Sequence, residues 1–99
     1  MVKEGRIMHF VLFYILVEHY LEKRGRFREQ HLELARESAD RGELILGGSL
    51  DPADIALIIF KDKISAEVFV ERDPYISNGL VKSWQIRKWN SVVGRALES

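Results

Sequence analysis

Apolar residues are spaced differently in different stretches of this chain, and the spacing separates strands from helices. "HFVLFYILV", His9–Val17, is almost continuously apolar and rich in β-branched and aromatic residues, which predicts a strand buried on both faces. "EHYLEKRG" after it reads as a polar connection. From Phe27 to Arg41 the apolar positions recur at the helical period. Phe27, His31, Leu34, Ala35 and Ser38 share one side, while Glu29, Glu33, Arg36, Glu37 and Asp40 share the other. Gly42 fits the position just past the end of such a helix. "LILGG" is then a short strand, "SLDPAD" a turn punctuated by Pro52, and "IALIIF" a second strand with apolar residues on both faces. Ser65 is the expected N-cap of a second helix, "AEVFVER", with Glu67 in its first turn. Pro74 disfavours helical geometry at Asp73 and ends that helix. "SNG" at 77–79 makes a turn, and "VKSWQIRKW" alternates as a last strand.

The order β–α–β–β–α–β is that of an α+β, ferredoxin-like split fold. Two helices cover one face of such a sheet, so the other face, apolar in the first and third strands, predicts a homodimer. Residues 1–8, "MVKEGRIM", read as a loose leader before one domain over 9–99.

Composition narrows the function. The 99 residues are 46% apolar and 30% charged, a globular balance for one domain. Fifteen basic residues against fifteen acidic ones leave no net charge, which argues against nucleic acid as a partner. There is no cysteine, which excludes disulfides, thiolate zinc sites and cysteine nucleophiles. The run His9–Val17 is too short to span a bilayer, and no small-residue cleavage site follows it, so the expected location is cytoplasmic, with no membrane partner.

The candidate chemistry lies in two places. His31 sits in the middle of the stripe that the first helix turns to the core, with Arg28 one turn earlier at the neighbouring edge. Asp73-Pro74-Tyr75 stands at the end of the second helix. Both helices pack on one face of this fold, so the two places can meet. A carboxylate on one imidazole nitrogen fixes the tautomer and leaves the other nitrogen to move a proton. The competing reading makes His31 a satisfied core residue and Asp73-Pro74 a helix stop. Ser49, after Gly47-Gly48, is a candidate ligand contact. The cluster Lys23, Arg24, Arg26 and Arg28 is either a solvated helix start or a basic rim for a small anion. Tyr14, Tyr75 and Trp89 are candidate pocket aromatics. His9, His19 and His31 do not have metal-ligand spacing, and no phosphate-cradling glycine motif precedes a helix, so neither a metal nor an organic cofactor is expected.

Residues 28–50 and 73–89 resemble the YciI family, also called YCII-related domains. Arg28, His31 and Leu32 match its R-x-x-H-L; Gly42, Leu44 and Gly48 match G-x-L-x-x-x-G; Asp73, Pro74, Tyr75 and Gly79 match D-P-Y with a glycine four residues on. The resemblance implies a dimeric α+β barrel with a His–Asp pair, here His31 and Asp73, as the active site. One branch is similar to a dehydrochlorinase acting on a chlorinated hydroxyquinol. This chain departs from the family in having Ser49 where many members have proline, and Lys88 before Trp89 where a proline often stands. The expected function is acid/base chemistry on a small anionic or aromatic molecule, by elimination, isomerisation or hydrolysis. His31 and Asp73 would be catalytic, with Arg28, Ser49 and Tyr75 on the substrate. The alternative is a non-catalytic ligand-binding module or accessory domain.

Overall fold

The computed structural model describes residues 7–97. Strand β1 (Ile7–Leu16) leads through a one-turn helix α1 (Tyr20–Lys23) and a 3-10 turn (Arg24–Arg26) into α2 (Arg28–Asp40). Strands β2 (Leu44–Ser49) and β3 (Ile55–Phe60) follow, then α3 (Lys63–Arg72), a one-turn α4 (Pro74–Ser77) and β4 (Val81–Ser91). The four strands form one sheet in the order β2-β3-β1-β4, every neighbouring pair antiparallel. This is the expected α+β arrangement. The expected leader falls partly on residues 1–6, outside the described residues, and partly on Ile7 and Met8, which instead open β1.

The helices cover one face of the sheet. Leu12, Tyr14 and Leu16 of β1 and Ala56, Ile58 and Phe60 of β3 pack there against Ala66, Phe69 and Val70 of α3. Of the alternate residues, only Val11 shares that burial. Phe13, Leu57 and Ile59 are only half-buried and Ile15 is exposed, so within the chain β1 is covered mainly on one face, where burial on both is expected from the sequence, and β3 is covered on the same face. A continuous apolar run reports two apolar faces; it does not report what covers the second.

Helix α2 turns its predicted stripe inward, from half-buried Phe27 and His31 to buried Ser38. Gly42, at φ 76, closes it: the Gly42 N–H donates to Ala39 O at 2.9 Å and the Glu43 N–H to Ser38 O at 3.0 Å. Helix α3 starts three residues before the expected site. Its N-cap is Asp62, whose carboxylate accepts from the Ser65 N–H at 2.8 Å, so Ser65 lies inside the first turn. The polar connection after β1 is also more structured than its composition suggests. Tyr20 is buried and meets Tyr75 edge to face at 5.7 Å, which anchors α1 to the core.

Candidate active site

The segment 73–79 is a one-turn helix bracketed by its own sequence. Asp73 takes extended geometry, as the following proline requires, and so ends α3. Its side chain then caps α4, accepting from the Tyr75 N–H at 3.0 Å, with Pro74 in the first turn. Gly79, at φ 74, terminates that turn: its N–H donates to Ile76 O and the Leu80 N–H to Tyr75 O. The aspartate, proline and glycine of this motif thus each have a backbone reason to be where they are. The same bracket holds a carboxylate in the core.

That carboxylate is 1% exposed and has further partners. Tyr14, reaching in from β1, donates its hydroxyl to Asp73 Oδ2 at 2.7 Å. His31, from the first turn and a half of α2, places Nδ1 2.8 Å from Asp73 Oδ1. With Tyr14, the Tyr75 N–H and His31 all directed at it, Asp73 acts purely as an acceptor, so Nδ1 carries the proton of that contact. The ring is fixed on its faces as well. It stacks on Tyr75 with centroids 3.8 Å apart and planes within 6°, and meets Phe69 edge-on at 6.0 Å. No hydrogen bond reaches Nε2 from the described residues.

His31 lines a cavity of about 240 Å³ between the helices and the strands β2, β1 and β3. Arg28, Ser49 and Tyr75 line it too, so the structure brings together around one space every residue singled out from the sequence as a substrate contact. Asp73 stands behind His31 rather than in the wall. Trp89 does not belong here: its register opposite His9 puts it on the uncovered face of the sheet, half exposed. Ser49 makes no hydrogen bond to a histidine among the described residues, so no serine–histidine pair is assembled. Among the described residues there is also no cluster of three or more His, Asp or Glu side chains that could hold a metal.

Burial and Asp73 shape the phenols. The pKa of Tyr14 is pushed far above its ordinary value, first by burial, then by the Asp73 charge and the hydrogen bond to it. Tyr14 is therefore a fixed neutral donor. Burial likewise pushes Tyr75 up to about 12; Tyr20 adds to the rise, while Arg28 and Arg24 oppose it. Unlike Tyr14, the buried Tyr75 hydroxyl has no hydrogen-bond partner among the described residues.

The sequence reading missed two things here. Tyr14 had been a possible pocket wall, yet it is also the second side chain on Asp73. The available signal is a phenol in an almost continuously apolar strand, since a buried phenol usually needs a partner, though the strand does not say which. Tyr20 also lines the cavity, from a connection whose polarity predicts a loop, and it is joined there by Arg24 of the basic cluster.

The sequence profile of the YCII-related domain matches residues 8–90. No curated protein matches the sequence. Among solved structures, the chain is similar to 5-chloro-2-hydroxyhydroquinone dehydrochlorinase (TftG) from Burkholderia phenoliruptrix AC1100, in complex with 2,5-dihydroxybenzoquinone. That likeness has a TM-score of 0.66 at 18% identity, over 82% of this chain and 92% of the other. A Nitrosomonas europaea protein of unknown function aligns with a TM-score of 0.58 at 13% identity, over 94% and 96% of the two chains. A conserved protein from Methanosarcina mazei aligns with a TM-score of 0.53 at 20% identity, over 83% and 89%. At these identities the structures agree in fold alone. With the matched profile spanning all the secondary structure that surrounds His31 and Asp73, the chain belongs to the YCII-related domain family.

Proposed function

We propose that this protein is a small-molecule enzyme that moves a proton through His31. The observation that carries the reading is the division of labour on one imidazole: Nδ1 is bound to a buried carboxylate and Nε2 is unpartnered on a ring that lines a cavity. Nε2 takes a proton from carbon or hydroxyl, Asp73 stabilises the imidazolium that forms, and the proton is returned to product or leaving group. Stacking on Tyr75 removes the ring's freedom to turn, so no reorganisation accompanies the transfer. Arg28 balances negative charge on the substrate, and Ser49 and Tyr75 contact it from the wall. No step of this scheme needs an organic cofactor or a metal.

The reaction class is elimination, isomerisation or hydrolysis. Elimination has the added support that a structural neighbour is a dehydrochlorinase. The working unit is a homodimer formed through the uncovered face of the sheet, where Val11, Phe13, Leu57 and Ile59 are adjacent across β1 and β3.

The test is turnover across a panel of small acids and hydroxylated or halogenated rings, with 5-chloro-2-hydroxyhydroquinone included. For any substrate found, His31→Ala should lower kcat by about 100- to 10,000-fold while the substrate still raises the melting temperature. Undiminished turnover in His31→Ala overturns the reading. A ligand that binds the wild type and is never converted leaves a binding module instead.

A further inference from the structure

The cavity wall carries a phenol donor and two arginines that have no hydrogen-bonded or ion-pair partner among the described residues. The Tyr75 hydroxyl is buried with no partner among the described residues. A buried hydroxyl calls for a hydrogen bond, and the Tyr75 phenol at the edge of the cavity can donate one to an oxygen bound there. Neither Arg24 nor Arg28 pairs with a carboxylate among the described residues, although Glu29 and Glu43 each find an arginine elsewhere. Both arginines are among the residues that line the cavity, and both charges act on the Tyr75 phenol. Tyr20 holds this group in place. Its ring meets Tyr75 edge-on at 5.7 Å and lies 5.5 Å beneath the Arg24 guanidinium. No hydrogen bond of proper geometry joins the two phenol oxygens, so Tyr20 positions Tyr75 without satisfying it.

We propose that Arg24, Arg28 and the Tyr75 hydroxyl form a carboxylate subsite, and that the natural ligand is a small organic acid with its carboxylate held there and its apolar part beside His31. A guanidinium fork matches the two oxygens of a carboxylate, and a phenol that stays protonated offers one more donor to either oxygen. Apart from His31 and Ser49, the remaining side chains of the wall are aliphatic or aromatic, with Ala56, Ile58 and Phe69 among them, and none carries a fixed charge, which suits a ring or short chain rather than a second charge. At about 240 Å³ the space is below the about 300–1,000 Å³ that drug-sized ligands occupy, so one ring or its equivalent fills it. The imidazole stacked on Tyr75 then stands next to the atoms adjoining the carboxylate. This assignment rests on reading the cavity as the reaction site, and names the substrate class for it.

The probes are benzoate and butyrate, with benzamide as the neutral match for benzoate and inorganic phosphate as a different anion. Binding is read from the melting temperature and from NMR titration of the arginine Nε–H signals in the full chain. At least one carboxylate should raise the melting temperature and shift the Arg24 and Arg28 signals, with benzamide at least about tenfold weaker than benzoate. Arg24→Gln should weaken the carboxylate about tenfold. Tyr75→Phe should do the same while leaving the empty protein as stable as the wild type or more so; a hydroxyl with a purely structural role would give the opposite stability change. The assignment is overturned if neither carboxylate binds, if benzamide equals benzoate, if phosphate binds where carboxylates do not, or if Arg24→Gln binds undiminished. His31→Ala should still bind the carboxylate. Carboxylate binding without any His31-dependent turnover would leave the subsite standing and remove the catalytic reading. His31-dependent turnover of neutral substrates without carboxylate binding would do the reverse.

Discussion

Asp73 has more duties than any other residue here: it ends one helix, caps the next, and accepts from Tyr14 and His31. Tyr14 is the partner whose contribution depends on pH. Its pKa is raised in the folded chain above the ordinary value of 10.0. Below pH 10 the phenol is protonated whether the chain is folded or not, and its contribution to stability is fully present. As pH rises beyond 10 the unfolded chain ionises and the folded one does not, so that stability is progressively lost. Tyr14→Phe should therefore lower stability at pH 7 by about 1.5–3 kcal/mol, the usual worth of a hydrogen bond to a charged group. It should also flatten the fall above pH 10 relative to the wild type. Urea titrations at pH 7, 10 and 11 measure both, and an unchanged slope above pH 10 would show that Tyr14 ionises as freely in the folded chain. His31 was legible from its place in the helical stripe, and Asp73 from the proline after it. The link between them came from fold topology and the family motif. Tyr14 was not legible as their companion, because a tyrosine in an apolar strand looks the same whether its hydroxyl meets a carboxylate or water.

Among the elements, the long ones announced themselves and the one-turn ones did not. The stripe over α2 and the apolar runs of β1 and β3 span enough residues for a period to be read. Helices α1 and α4, each of 4 residues, are shorter than the repeat needed to see one. They exist because Tyr20 and Asp73 are anchored by tertiary contacts. At the start of α3 two residues competed for the cap, and the outcome has a measurable size. Asp62→Ala should cost about 1 kcal/mol in chemical denaturation, whereas Ser65→Ala, which removes no capping side chain, should cost less. The Asp62 pKa is lowered, mainly by its hydrogen bonds to Ser65. Its share of stability is accordingly present above the usual aspartate range and fades as pH falls through it. Equal losses from the two substitutions would contradict this assignment of the cap.

For the whole molecule, the uncovered face of the sheet is where the proposed dimer can be tested. Ile15, Leu46 and Trp89 are exposed on it beside half-buried Phe13, Leu57 and Ile59. If two copies close over this face, Leu57→Glu should convert a dimer to a monomer in sedimentation velocity, with the helix-side core unaltered because Leu57 does not contribute to it. A wild type that sediments as a monomer would overturn the dimer, and a variant that remains dimeric would locate the interface elsewhere. The sequence showed that two faces of β1 and β3 are apolar, which is why pairing was expected. It carried no register, and register is what sorts Trp84 and Ile86 to the helix side and Trp89 away from it.

The cluster around Asp73 also has a kinetic meaning. Its two side-chain contacts join residues 59 and 42 positions apart, from a strand and a helix laid down early in the chain to a carboxylate laid down late. Such contacts close large loops and form only once the elements between them have docked. A refolding chain can therefore regain helical circular dichroism, which needs only local contacts, before any site exists. Recovery of ligand binding should lag behind that helical signal, because the site needs Tyr14, His31 and Asp73 brought together from three separate elements.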